Sequence, residues 1–354
     1  MRAQVFDEPQ RMELREVSRP ELGDDELLVR VRACGICGSD VAYYWGHSPL
    51  ETPTGKGPLI LGHELTGEVV EVGSTAIRLG LFVAGDRVVL NPVQACLACV
   101  ACQRGRPNLC RQKRVLGVSV DGGFAEYTRV RYTNALLLPP NVSFEQGAMT
   151  EPLACAMYAV QNLEVQPGDV CVVIGPGPIG LMMIQLIRAR GAGSVILVGT
   201  RDDRLERGRA LGADVVINVR EPGSPHYTLD LCARIADLTD GQLSDRVITP
   251  TASPESMHAA LEISGLGSRI VYFGLPGPHD RLAVPALDTM VADKTLRFSW
   301  LAPFTWPSAL QALATGLVNV QPLITHRADL DNLVDSLHAV RDRKDGVLKA
   351  VVTP

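Results

Sequence analysis

The sequence predicts a two-domain α/β protein, with an irregular, mostly β region followed by a doubly wound parallel sheet of the dinucleotide-binding kind. Three observations carry that expectation. The chain has 354 residues, which is about two domains at roughly 150 residues each. Near residue 153 the apolar pattern changes from short β-like runs to alternating strands and helices. A glycine-rich hexapeptide, Gly175 to Gly180, then stands between an apolar strand and a helical run, the setting in which such a turn binds phosphate.

Up to about residue 150, runs such as Leu27 to Val31, Gly67 to Val72 and Asp86 to Leu90 are broken by Gly, Pro and Asp, which reads as short strands and turns. From there the spacing predicts strand 170–174, helix 179–189, strand 194–198, helix 203–211, strand 214–218, helix 227–238, strand 245–248, helix 254–264 and strand 269–274. That alternation implies a parallel sheet with right-handed crossovers. The expected division is 1–152, 153–295 and 296–354, the last segment ending in a strand-like run, Gly346 to Val352, that returns to the first domain. The sequence holds no internal repeat and no low-complexity segment.

Hydrophobic residues at 46% and charged residues at 21% exclude a disordered or fibrous chain. The formal charge of −5, from 34 basic and 39 acidic residues, argues against a nucleic-acid partner, which needs a dense basic face. The start, Met1 to Asp7, has no apolar core like that of an export signal, and no stretch has the length of a membrane span. The expectation is a cytoplasmic protein with no membrane partner. The nine cysteines are unevenly placed, and such crowding reads as metal ligation before disulfides.

Four cysteines, Cys96, Cys99, Cys102 and Cys110, fall within one lobe, 92–112. Four thiolates close a tetrahedral zinc site and leave no open position, so this zinc is expected to be structural. An iron–sulfur run has a three-residue last gap followed by Pro, whereas here the gap is seven residues and Arg111 follows.

In the hexapeptide, Gly175, Gly177 and Gly180 permit the turn and the close approach of backbone to pyrophosphate, with Pro178 and Ile179 opening the helix. At the end of the next strand an acidic residue would take a ribose 2′-hydroxyl. Gly199, Thr200 and Arg201 stand there instead, offering room, a hydroxyl and a guanidinium fork suited to a 2′-phosphate. NADP is therefore the expected cofactor, with NAD the alternative. Asp202 and Asp203 are expected to cap the following helix. A dispersed set, Cys37, His63 and either Glu64 or Glu151, has the donor types of a three-ligand zinc site with a fourth position open. Spacing alone leaves open that these are ordinary surface or core residues.

Taken together, Gly35 to Asp40, Gly62 to Glu64, Gly73, Gly85 to Val88, the four-cysteine lobe, Asp121 to Tyr127, Glu151 to Leu153 and the glycine turn resemble the zinc-dependent medium-chain dehydrogenase/reductase superfamily. The likeness is greatest to its sorbitol/polyol and threonine dehydrogenase branch and covers essentially the whole chain. The resemblance implies a GroES-like catalytic domain built from the N-terminal part and the tail, a Rossmann domain inserted between them, and an active site in the cleft. It also implies two zinc ions per chain and a homotetramer or homodimer. Cys37, His63 and either Glu64 or Glu151 would form the catalytic zinc shell, with Ser39 the relay hydroxyl that takes the substrate proton. Two departures from the family pattern stand out. Ala42 stands where a relay His is common, and Leu301 and Ala302 stand where polyol members carry an Arg-Tyr pair. Tyr43, Tyr44, Trp45 and His47 are candidates either for the border of the substrate cleft, with Leu301, or for core aromatics. The expected function is a zinc-dependent, NADP-preferring alcohol dehydrogenase that interconverts a small-molecule secondary alcohol, polyols and cyclic alcohols included, and a ketone. The alternatives are an NAD-dependent polyol or aminocyclitol dehydrogenase and a non-catalytic dinucleotide-binding protein.

Overall fold

Apolar side chains over Leu27 to Ala33 build the strand Glu26–Gly35, which lies at the middle of the first unit's larger sheet. In this computed structural model, which describes residues 1–48 and 55–354, that sheet runs in the order Ala135–Leu137, Arg87–Leu90, Glu64–Val72, Glu26–Gly35, Lys349–Val352, Ile324–Ala328. The strand Tyr127–Arg131 also pairs with Glu26–Gly35. Register matters for the site, because Gly35 lies opposite Glu64 on one side and opposite Val351 on the other. That pairing brings the start of one strand and the last strand of the chain to the same place. Phe6, Leu27, Leu61, Leu65, Phe124, Leu333 and Val352 are among the buried residues of this unit's core.

Near-continuous apolar strands such as Val170–Ile174 and Ser194–Gly199 suit a sheet covered on both faces. They belong to a six-stranded parallel sheet in the order Val215–Asn218, Ser194–Gly199, Val170–Ile174, Ser244–Thr249, Ser264–Tyr272, Thr295–Phe298. The chain divides into two compact units, one of Met1–Pro152, Trp306–Gly316 and Val320–Pro354, the other of Leu153–Thr305 with Leu317–Asn319.

Three sequence expectations shift. The boundary at 295 cuts into the sixth strand, Thr295–Phe298, which pairs with Ser264–Tyr272; its exposed edge position weakens the apolar pattern that would have marked it. The helix expected from Tyr227 begins at Leu231, because the Asp230 carboxylate accepts from the Ala233 N–H at 2.9 Å and fixes the start there. Ser264–Tyr272 begins five residues before the expected 269, its early part carrying glycines that disguise a strand.

Candidate active site

The strand ending at Gly35 delivers Cys37 to the N-terminus of the helix Gly38–Tyr44. His63 and Glu64 stand where the strand Glu64–Val72 begins. One ligand atom each from Cys37, His63 and Glu64 lies within 4.8 Å of the others. His63 and Glu64 are buried. This is the donor set of a catalytic zinc site, a thiolate, an imidazole and a carboxylate. Glu64 Oε1 has no hydrogen-bond partner, an orphaned buried oxygen that a dication would satisfy, so the residues fit the metal. Glu151, at the start of the helix Thr150–Leu163, lies outside the cluster formed by the other three.

Two supporting residues escape the sequence reading. Asp40 is buried; its carboxylate accepts the Cys37 N–H at 2.8 Å and the Gly62 N–H at 3.3 Å, and Oδ1 lies 3.3 Å from His63 Nδ1. It therefore ties both ligand-bearing segments together and orients the imidazole. Its signal was the acid three residues after Cys37, the spacing of a capping box. Lys349 is a buried cation ion-paired to Glu64, and its signal was one charge inside the run Val347 to Val352. Gly35 makes the approach possible, since a Cβ there would fall 2.2 Å from Glu64 Oε2. Burial alone would lower the pKa values of His63 and Lys349. The negative charges of Asp40 and Cys37 outweigh it at His63, that of Glu64 outweighs it at Lys349, and both groups are held above their ordinary values. Ser39 Oγ lies 3.3 Å from His63 Nε2.

The aromatic candidates pack inward. Tyr43 is buried edge-on against Phe6 with ring centroids 5.3 Å apart, and the Tyr44 hydroxyl donates to the Gln10 carbonyl at 3.2 Å. Trp45 meets His338 edge-on at 4.8 Å, with the Arg341 guanidinium 4.6 Å over its ring. These rings pack into the first unit's core and against the helix Leu333–Asp342. His47 is exposed, and Leu301 sits in the second unit at a left-handed φ of 58°.

In the lobe, Cys99 caps the short helix Val100–Gln103 and Cys110 ends the turn Pro107–Leu109. All four sulfurs lie within 4.8 Å of one another, and Cys99 and Cys102 are 3.6 Å apart. Zinc–sulfur bonds of about 2.3 Å in a tetrahedron put sulfurs about 3.8 Å apart, so the spacing suits the ion. Backbone N–H groups of Ala98 and Cys99 draw the Cys96 thiol down to about 6, whereas desolvation, then the Cys99 side chain, pushes Cys102 up to about 12. Four thiolates crowded together need a cation to be ionised at once. Among the described residues every cysteine is free of disulfides.

The second unit supplies the turn. Gly175 has φ 130°, and a Cβ there would fall 2.4 Å from Thr251 Cγ2, while one on Gly180 would fall 2.0 Å from the Gly175 carbonyl. Those two glycines serve packing. A Cβ on Gly177 would meet nothing within 4 Å; this residue caps the helix Pro178–Ala189 and leaves its N-terminus open to an anion. Gly199 ends its strand and Arg201 is itself the cap of the helix Asp202–Ala210. Asp202 and Asp203 therefore do not cap that helix as expected. Asp202 accepts from Asn218 Nδ2 and Ser224 Oγ, both at 2.7 Å, bonds that hold it below the usual carboxylate range. Asp203 takes the Arg201 guanidinium at 3.1 and 3.2 Å.

Comparison with known proteins agrees with this architecture. The alcohol dehydrogenase GroES-like domain profile matches residues 23–140, and the zinc-binding dehydrogenase profile matches 178–315. Sorbitol dehydrogenase of Bacillus subtilis is 31% identical, covering 100% of this chain and 97% of its own. A zinc-binding dehydrogenase of Sinorhizobium meliloti 1021 bound to NADP superposes with a TM-score of 0.88 at 30% identity, over 100% of this chain and 99% of its own. An Escherichia coli CFT073 alcohol dehydrogenase complexed with NADH does so with a TM-score of 0.89 at 28% identity, over the same shares. The chain belongs to the zinc-dependent medium-chain dehydrogenase/reductase superfamily, in its polyol branch. It is an oxidoreductase of the zinc-binding alcohol dehydrogenase type, with a GroES-like domain and a Rossmann-type domain. Among the described residues no helix is long and apolar enough to cross a membrane.

Proposed function

We propose that the chain interconverts a secondary alcohol and a ketone, polyols and cyclic alcohols included, by hydride exchange with NADP. The observation that carries this reading is the convergence of Cys37, His63 and Glu64 within 4.8 Å, beside a serine hydroxyl 3.3 Å from the imidazole. These three residues would hold zinc, which when bound supplies a Lewis acid for the alcohol oxygen. Ser39 Oγ would relay the substrate's hydroxyl proton, accepting it while giving up its own, and Ala42 stands where a relay histidine would take that proton onward. Asp40 fixes the His63 ring and Lys349 fixes Glu64. The four lobe cysteines would hold the second zinc, which serves folding alone.

Absence of an acid at Gly199, with Thr200 and Arg201 beside it, supports the choice of NADP. One observation favours a second reading, an NAD-dependent polyol dehydrogenase: Asp203 already occupies the Arg201 fork. Zinc content per chain and kcat/KM with NADPH and NADH over a panel of ketones, at one pH and ionic strength, test both readings. Comparable or better efficiency with NADH selects the second.

A homodimer or homotetramer is part of the proposal. Its support is the edge strand Thr295–Phe298 together with the exposed apolar side chains of Leu266, Leu287, Met290, Val291 and Phe298, a surface suited to a second copy.

A further inference from the structure

Gly199 carries no acid, and the packing around it explains why it carries no side chain at all. A Cβ at this position would fall 2.6 Å from Pro176 Cγ, 2.8 Å from Pro176 Cδ and 3.1 Å from Leu205 Cδ2. Those distances are shorter than carbon atoms tolerate without something moving. A flexible side chain could swing away, but the Pro176 ring is closed onto its own backbone nitrogen.

The turn that carries the ring is pinned as well. The Gly175 N–H donates to the Val198 carbonyl at 2.9 Å, one residue before Gly199. Gly175 packs against Thr251 and Gly180 against the Gly175 carbonyl, each too closely to admit a Cβ. From the other side, the Gly199 carbonyl accepts the Val219 N–H at 3.0 Å. Ring and glycine are thus held face to face by backbone bonds, and neither can withdraw alone.

At this point in a dinucleotide-binding sheet, an acidic side chain would bind the ribose hydroxyls and repel a 2′-phosphate. We propose that Pro176 is a specificity-determining residue. By filling the space beside Gly199 it excludes the side chain that selects an unphosphorylated ribose, and so keeps the position for a cofactor that carries a 2′-phosphate. The direction of preference rests on the NADP reading above, whereas the coupling between positions 176 and 199 rests on the packing alone. One consequence is that placing an acid at 199 does not by itself convert the enzyme to NAD, because the substitution displaces the phosphate-binding turn.

A double-mutant cycle tests this on the full-length zinc-loaded protein. Binding of NADPH and NADH is measured by nicotinamide fluorescence for the wild type, Pro176→Ala, Gly199→Asp and the double variant. Gly199→Asp alone should weaken both cofactors. Adding Pro176→Ala should then restore NADH binding by about tenfold beyond what Pro176→Ala does to the wild type, a coupling of about 1.4 kcal/mol. Independent effects of the two substitutions on NADH would overturn the proposal. If Gly199→Asp does not fold, Gly199→Ala adds the methyl without the charge. Its loss of melting temperature should be relieved by Pro176→Ala, and strictly additive losses would again overturn the coupling. The wild-type ratio of NADPH to NADH affinity checks the NADP reading separately: preference for NADH overturns that reading, while a coupling measured beside it still supports exclusion by Pro176.

Discussion

The two clusters of the first unit that could hold a metal ion are built in opposite ways. The lobe takes its four sulfurs from a single stretch, Cys96 to Cys110, and exposes Leu97, Val100 and Leu109 to solvent. The Cys37, His63 and Glu64 set draws on two segments far apart in the chain, the N-terminus of the helix Gly38–Tyr44 and the start of the strand Glu64–Val72, buries two of its residues, and is braced by Asp40 and Lys349. A segment with little apolar burial depends on its ion for shape, whereas the second set is held in shape by the sheet. The difference teaches that losing one zinc should cost folding and losing the other should cost chemistry.

The sharpest way to break this contrast is His63→Ala. Turnover should fall at least about a thousandfold, because the Lewis acid is worth several kcal/mol and each 1.36 kcal/mol is tenfold in rate. NADPH binding and the lobe zinc should survive; near-normal turnover in the metal-depleted variant would contradict the assignment. Next, Ser39→Ala should slow alcohol oxidation near neutral pH by about 10²- to 10⁴-fold while both zinc ions stay bound. A pH–rate profile unchanged from the wild type would show that water alone carries the proton.

Lys349→Met probes the bracing. It leaves Glu64 as a buried charge without its cation, a change that costs about 3 to 5 kcal/mol. A bound dication compensates the carboxylate, so the melting temperature should drop further in chelator-stripped protein than in zinc-loaded protein. Equal drops would mean that Glu64 does not face the metal. Of smaller effect on turnover, Cys110→Ser should release the lobe zinc and lower the melting temperature, with the folded fraction keeping its activity. Full stability with both ions retained would remove the lobe's structural role.

The same contrast decides what the sequence disclosed. The lobe reads directly because its ligands are neighbours in the chain, and the turn at Gly175 reads because strand, glycines and helix are consecutive. Cys37, His63 and Glu64 were candidates, but their convergence needed the register that sets Gly35 opposite Glu64. Asp40 and Lys349 act only through partners that the fold supplies, so neither announces a role alone. For Tyr43 and Tyr44 the sequence left cleft border and core both open, and the packing on Phe6 and the helix Leu333–Asp342 appears only in the fold. The crowding of Pro176 onto Gly199 joins the ends of two adjacent strands, a contact that no linear spacing displays.

The central claim, two zinc ions held by two unlike sites, is tested most directly by native mass spectrometry of the wild type, His63→Ala and Cys110→Ser. The account predicts two, one and one zinc ions per chain, with turnover lost only in His63→Ala and thermal stability lost chiefly in Cys110→Ser. A wild type holding a single ion, or a Cys110→Ser protein holding two, would contradict it.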